Sequence, residues 1–462
     1  MIAGPVAGGR AAGAVLAHGV GTRADLPLPL AYVVVGGGLA VVVSFAALGA
    51  LWRTARLRGA DAGRPVPATL RAFVEDRTLR SALRAVTLGV TLLVVAVAFL
   101  GDPQVPGNAA PWALFVTFWV GLVPVSLLLG PVWSVLNPLA TLYRGLAPLL
   151  PAPRHPDVPD RWGHWPAALS LAAFTWFELA APDRSDPRRV GTFLVGYGAV
   201  HLVAAALTGE RWFSRGDGFA VYSRLLGALA PLGRRADGRV VWRSPLDGAA
   251  AVTGRPGLAA TVLVLVGSTG FDGVTRTLWW QQGPGGGGDA RTGSAVLTAT
   301  VGLAATILLV AALYLAATTA AGAIGGYRGA PGRFGHTLVP IAAGYAIAHY
   351  FSLFVFDGQF TWILLSDPFA TGADLLGLND ASVDYTLVSD RTIALVQVAA
   401  IVGGHLLGVV LAHDRAVALA RRTGDGAGAG AGTLRRTVLS QVPLLVLMVA
   451  LTVGALLLLL GG

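Results

Sequence analysis

Residues 337–415 read TLVPIAAGYAIAHYFSLFVFDGQFTWILLSDPFATGADLLGLNDASVDYTLVSDRTIALVQVAAIVGGHLLGVVLAHDR. Two apolar runs, about 337–356 and 392–413, are each long enough to cross a bilayer core, which takes about 20 residues as a helix. Between them lies an acidic, aromatic loop, 357–390, with Asp357, Asp367, Asp374, Asp380, Asp384 and Asp390 beside Phe360, Trp362 and Phe369. Each run carries a histidine well inside it, His349 in the first and His405 in the second. A titratable group at membrane depth is costly unless it faces a partner, a cavity or a cofactor. Both histidines are therefore candidate functional residues.

The rest of the chain repeats the pattern. Of its 462 residues 54% are hydrophobic and 13% charged, against about a quarter charged in a typical soluble domain. The expectation is an all-α, polytopic integral membrane protein of the cell (plasma) membrane with about ten transmembrane helices. The spans fall at about 30–52, 86–101, 111–130, 165–181, 190–208, 256–271, 294–321, 337–356, 392–413 and 437–460. Residues 1–28 read as an extracytoplasmic N-terminal segment and 29–462 as a single membrane domain. Gly36, Gly37 and Gly38 in span 1 read as a packing notch, since no strand-to-helix context supports a phosphate loop there.

Charge orients the spans. The segments 53–84, 131–163, 209–255, 323–336 and 415–436 carry 26 of the 34 arginines. Basic loops stay in the cytoplasm, which places both termini outside. That distribution, and not nucleic-acid binding, accounts for the net charge of +10. Segment 131–150 reads as an interfacial helix or an untidy end of span 3. In the cytoplasmic loop 209–255, Asp217 can cap an amphipathic helix bearing Phe219, Tyr222, Leu225 and Leu226. A hairpin turns at Asp237-Gly238. This loop is expected to lie on the surface.

Several chemistries are excluded. The chain has no cysteine and only Met1 and Met448 as methionines, so disulfides, thiolate ligands and a thioether copper site are out. P-loop and Rossmann fingerprints are missing, as are HExxH and GxSxG, so no nucleotide site is found. The acids of 357–390 read as a solvated loop and not as metal ligands.

Three buried histidines remain: His201 in span 5, His349 and His405. By helical rise, ~1.5 Å per residue, all three fall in the middle of a hydrocarbon core ~30 Å thick. His413, with Asp414 and Arg415, sits at the cytoplasmic interface. Three readings stand open. Each ring bonds a neighbouring helix and does nothing more. Or Asp357, His349, His201, His405 and His413 step down a proton or solute path, with Tyr345 one turn before His349. Or two histidines, best His349 with His201, clamp a haem iron or a divalent metal. The Gly404–Gly408 spacing lets another helix come close, so His405 is expected to face protein.

The segments AHGVGTRADLPLP (17–29), ERWFSRGDGFAVYSRLLG (210–227), GSTGFDG (267–273), AIAHYFSLFVFDGQF (346–360) and AHDRA (412–416) together resemble an uncharacterised family of polytopic membrane proteins in actinobacteria and related high-GC prokaryotes. Some of its members carry the label fenitrothion hydrolase. The resemblance spans most of the chain and implies organophosphate ester hydrolysis; it assigns no catalytic residue. From architecture the first expectation is transporter- or permease-like movement of a small solute through the lipid bilayer. A membrane redox protein and a membrane-bound hydrolase stand as alternatives.

Overall fold

The computed structural model describes residues 29–252, 254–286, 292–422 and 431–460. The N-terminal segment 1–28 and most of the glycine-rich linker between spans 9 and 10 lie outside the described residues. The first helix is α1, Leu30–Leu51. A strand β1, Arg64–Pro65, and a helix α2, Ala68–Glu75, lead to α3, Arg77–Leu100. Next come α4, Ala109–Leu129, with a π-helical stretch Ala113–Val120, and the short helices α5, Pro138–Leu146, and α6, Val158–Trp162. α7, Trp165–Leu179, and α8, Pro187–Thr208, are followed by α9, Arg211–Arg215, and α10, Gly218–Gly227. Strands β2, Leu232–Arg234, and β3, Val240–Trp242, precede α11, Leu258–Thr275, and α12, Gly293–Gly325. The chain finishes with α13, Val339–Phe356, α14, Gly358–Leu364, α15, Asp390–Arg422, and α16, Val442–Leu460.

Nine helices among the described residues are long and apolar enough to cross a membrane. Their outward faces are greasy: on α12, Leu297, Val301, Leu308 and Leu309 are all exposed. Exposed apolar side chains along a helix of this length are what a membrane span requires. α7 has 15 residues, roughly 22 Å, and falls short of that length.

Helix starts follow side-chain caps. Asp76 accepts a bond from the Leu79 amide, so α3 begins at Arg77, well before the apolar run. Asp186 caps α8, Asn137 caps α5 and Asp217 caps α10 in the same way. Each cap satisfies amide groups that have no partner inside the helix.

The tightest pairing is α13 against α15. A Cβ on Gly404 would stand 2.5 Å from the Pro340 carbonyl, and one on Gly344 2.3 Å from that of Ala400, so only glycine lets these backbones meet. Gly408 lies against Thr337 and Ile341. α1 closes the bundle against α15 and α16, with Gly37 facing Leu456 and Gly38 facing Val453, while Gly36 faces open space. α8 packs on α3, α5 and α9.

The five arginine-rich segments meet at one end of the helices. Trp52 Nε1 and the Arg56 amide donate to Asp414 Oδ1 at 3.0 and 2.6 Å, and the Arg58 amide donates to Asp247. β1 and β2 flank β3 in an antiparallel sheet, with Arg64 and Leu232 both opposite Trp242. Arg144 pairs with Glu210, and Arg436 Nε donates to the Ile324 carbonyl. At the other end, Trp112 stacks on Phe360 at 4.4 Å. The loop acids there tie their own turns: the Thr371 amide holds the Asp367 carboxylate, and the Ser366 hydroxyl that of Asp374, below the usual range.

Two expectations are corrected. The hairpin forms at Gly238, but α10 does not lie on the surface. Phe219, Val221, Tyr222, Leu225 and Leu226 are all buried against α4, α7 and α13. Residues 138–146 are likewise a packed helix, seated on α3 and α8 with Pro138, Ala140 and Tyr143 buried.

Candidate functional site

α11, α13 and α7 bring together a buried polar cluster toward the end opposite the arginine-rich face. α11 ends at Thr275 and α13 at Phe356, so Asp272 lies roughly 5 Å and His349 about 10 Å from those ends. His349 Nε2 is hydrogen-bonded to Asp272 Oδ2. Arg276, one turn beyond Asp272, brings its Nη2 to 3.2 Å from the same nitrogen and 3.7 Å from the carboxylate. Tyr345 lies parallel to the imidazole with centroids 5.8 Å apart, and Tyr350 meets it edge-on at 4.7 Å. The Tyr350 hydroxyl donates to Glu178 Oε1 on α7 at 3.4 Å.

The chemistry follows from the ring. With Nε2 bound to the aspartate, His349 has only Nδ1 left to exchange, and Nδ1 is buried without a hydrogen-bond partner among the described residues. The Tyr345 hydroxyl is in the same position. An aspartate fixes the imidazole, a guanidinium balances the charge, and one nitrogen stays open. An imidazole is the side chain suited to taking up and returning a proton near neutral pH.

His201 stands in a different place. Trp212 Nε1 donates to its Nδ1 at 2.9 Å, and its Nε2 lies 3.2 Å from Ser170 Oγ. With Nδ1 accepting, Nε2–H donates to Ser170. Ser170 donates to the Tyr197 hydroxyl at 2.9 Å, and Tyr197 to Asp217 Oδ1 at 2.7 Å. Asn137 Nδ2 donates to Asp217 Oδ2 at 2.6 Å. This relay spans α8, α7 and the caps of α5 and α10. Every named link is filled. Replacing Asp217 with Ala strips the acceptor from Asn137, Tyr197 and the α10 amides at once. The expected loss is on the order of 3 kcal/mol, read as a lowered unfolding temperature in detergent.

His405 is buried on α15; its Nδ1–H donates to the Ile401 carbonyl at 2.8 Å, and Nε2 has no partner among the described residues. His413 lies near the arginine-rich face, between Gln441 Oε1 and the Trp52 carbonyl, next to Asp414, while Arg415 reaches the Ala250 carbonyl. Asp357 is buried where α13 turns into α14.

The pairing of His349 with His201 as iron ligands is corrected by this geometry. His201 has both nitrogens engaged, and the main partners of α8 are α3, α4, α5 and α9. α13 packs on α15, and α8 is not among the main partners of either. Among the described residues no group of three or more His, Cys, Asp or Glu stands close enough to hold a metal ion. The residues present do not fit a two-histidine haem clamp.

Asp272, Arg276, Glu178 and Tyr350 were not among the sequence candidates. The signal is present in part: GSTGFDG, which holds Asp272, is one of the motifs, and Glu178 falls inside span 4. A groove of about 570 Å³ between α4 and α13–α14, lined by Phe118, Val125, Phe354 and Trp362 among others, includes none of them. The chain matches no protein-family model, no curated protein and no solved structure.

Proposed function

We propose that this chain is a ten-span protein of the cell membrane with both ends outside, and that it works as a permease for a small solute with Asp272–His349 as its proton site. α7 serves as the tenth span. The observation that carries the reading is the buried imidazole whose Nε2 meets both Asp272 and Arg276, with Nδ1 not engaged by any described residue. In a helical bundle an intramembrane ionisable residue marks a substrate or ion pathway by default. The gathering of the basic segments at the far end supports an outward location for the site. The His201–Ser170–Tyr197–Asp217 relay, nearer the basic end, gives a second set of exchangeable groups on the inner side.

The test is proton movement by the purified chain in liposomes carrying an internal pH-sensitive dye. A permease of this kind acidifies the lumen when the outside is made acidic and a potassium diffusion potential drives cations inward. Reporter fusions after Arg235 should read cytoplasmic and those after Pro106 and Ala373 external; a cytoplasmic signal after Ala373 contradicts the orientation.

One observation favours a second reading. An aspartate-fixed imidazole with a free nitrogen beside a guanidinium is also an arrangement that activates water for attack on an ester. That agrees with the phosphotriester hydrolysis implied by the sequence resemblance. Turnover of a chromogenic phosphotriester by the wild-type chain, lost in His349→Phe, with no proton movement, replaces the permease reading.

A further inference from the structure

At the arginine-rich end a second polar site lies apart from the histidines. Arg211 Nη1, Arg215 Nη2 and Arg255 Nη1 stand 2.9, 3.5 and 3.8 Å from the carboxylate of Asp160. Arg224 joins them from α10. It donates to the Ser214 carbonyl at 2.6 Å and reaches His164 Nε2 at 3.4 Å. Among the described residues Arg224 has no carboxylate partner. Three guanidiniums thus share one carboxylate, with a fourth beside them.

The site is built, not accidental. Its residues come from α6, α9, α10 and the lead-in to α11, and tight backbone contacts hold these together. The His164 amide donates to the Pro256 carbonyl at 2.8 Å. Gly163 and Gly257 both take left-handed conformations, φ +60° and +78°, and a Cβ on Gly257 would lie 2.3 Å from the Trp165 amide nitrogen. Only glycine permits that approach with that φ. Like charges drawn together without a counter-anion are unfavourable. Burial first, and then Arg215 and Arg255, lower Arg224 to about 10. Burial first, and then Arg224, lower His164 to about 4, so at neutral pH the imidazole is neutral and accepts from Arg224.

We propose that Arg211, Arg215, Arg224 and Arg255 bind the phosphate of an anionic phospholipid headgroup at the inner membrane surface. Guanidinium forks match phosphate oxygens in pairs, and one phosphate would offset the charge that Asp160 leaves uncompensated. Two exposed tryptophans at the same end choose a lipid over a soluble anion. Trp162 closes α6 and Trp165 opens α7, with 53% and 59% of their surfaces exposed. Exposed indoles belong at headgroup depth, with a lipid tail against the apolar flank that includes the exposed Leu169. The inference does not depend on the solute reading.

The full-length chain in zwitterionic detergent is mixed with phosphatidylglycerol, phosphatidylcholine or inorganic phosphate, and lipid retention is read by native mass spectrometry beside the unfolding temperature. Phosphatidylglycerol should be retained and should raise the unfolding temperature; phosphatidylcholine and inorganic phosphate should not. Arg211 and Arg255 are well exposed, with side-chain exposures of 69% and 44%, so Arg211→Gln with Arg255→Gln is expected to fold. Each lost arginine should weaken phosphatidylglycerol binding about five-fold. Equal retention of phosphatidylcholine, or phosphatidylglycerol binding unchanged in the double variant, overturns the proposal. Stabilisation by inorganic phosphate alone overturns the lipid assignment.

Discussion

Asp272→Asn should accumulate as folded protein with a lowered unfolding temperature, because Arg276 loses its counter-charge, yet move protons at the rate of empty liposomes. The substitution keeps the volume of a side chain buried between α11 and α13. It removes the charge that fixes the His349 ring and balances Arg276. A carboxamide can still meet Nε2 but carries no proton. Loss of a positioned acid–base group typically costs about 100-fold or more in rate, enough to bring the signal to background. His349→Phe should match it, because the ring is replaced and both nitrogens go. Trp279→Phe, at an exposed site, should leave the rate unchanged. Wild-type rates in Asp272→Asn would show that the pair only packs.

The largest structural effect is expected at Gly404. Its missing side chain lets α15 touch the Pro340 carbonyl and the Gly344 Cα, the latter 3.3 Å from an ideal Cβ. Gly404→Val puts three carbons where one does not fit, against backbone that cannot rotate away. Overpacking costs about 1–3 kcal/mol in adaptable cores, and a backbone clash leaves less room to adapt. Folded protein should fall below detection by size-exclusion chromatography. Gly403→Val, with nothing within 4 Å of its Cβ, should behave like wild type. Equal yields for the two would contradict the close α13–α15 contact.

The long apolar helices and the histidines within them were legible because they depend on local pattern. An apolar run announces itself, and a histidine within one stands out. Gly404 and Gly408 announced a close approach for the same reason. Their partners were less visible. Asp272 and Glu178 sit at helix ends, where an acid reads as an interfacial residue, and Arg276 reads as part of a loop. Only the crossing of α11, α7 and α13 puts them around one ring.

α10 was misread for a related reason. Its apolar face and Asp217 cap are evident, but the partners of its polar residues are not. Their partners lie elsewhere: Asn137 is 80 residues before Asp217, and Ser126 Oγ meets Ser223 Oγ at 2.9 Å from 97 residues away. A buried polar group needs such a partner, and pairing at that separation leaves no local trace. The iron clamp failed because similar depth does not mean the same helices. The His201 ring was already filled by Trp212 and Ser170.

The central claim is that the buried Asp272–His349 pair carries protons across the membrane. It is tested most directly by luminal acidification of liposomes holding the wild-type chain, compared with empty liposomes at the same imposed potential and external pH. The account predicts acidification that rises with the amount of protein and disappears in Asp272→Asn. Wild-type liposomes as tight to protons as empty ones would contradict it.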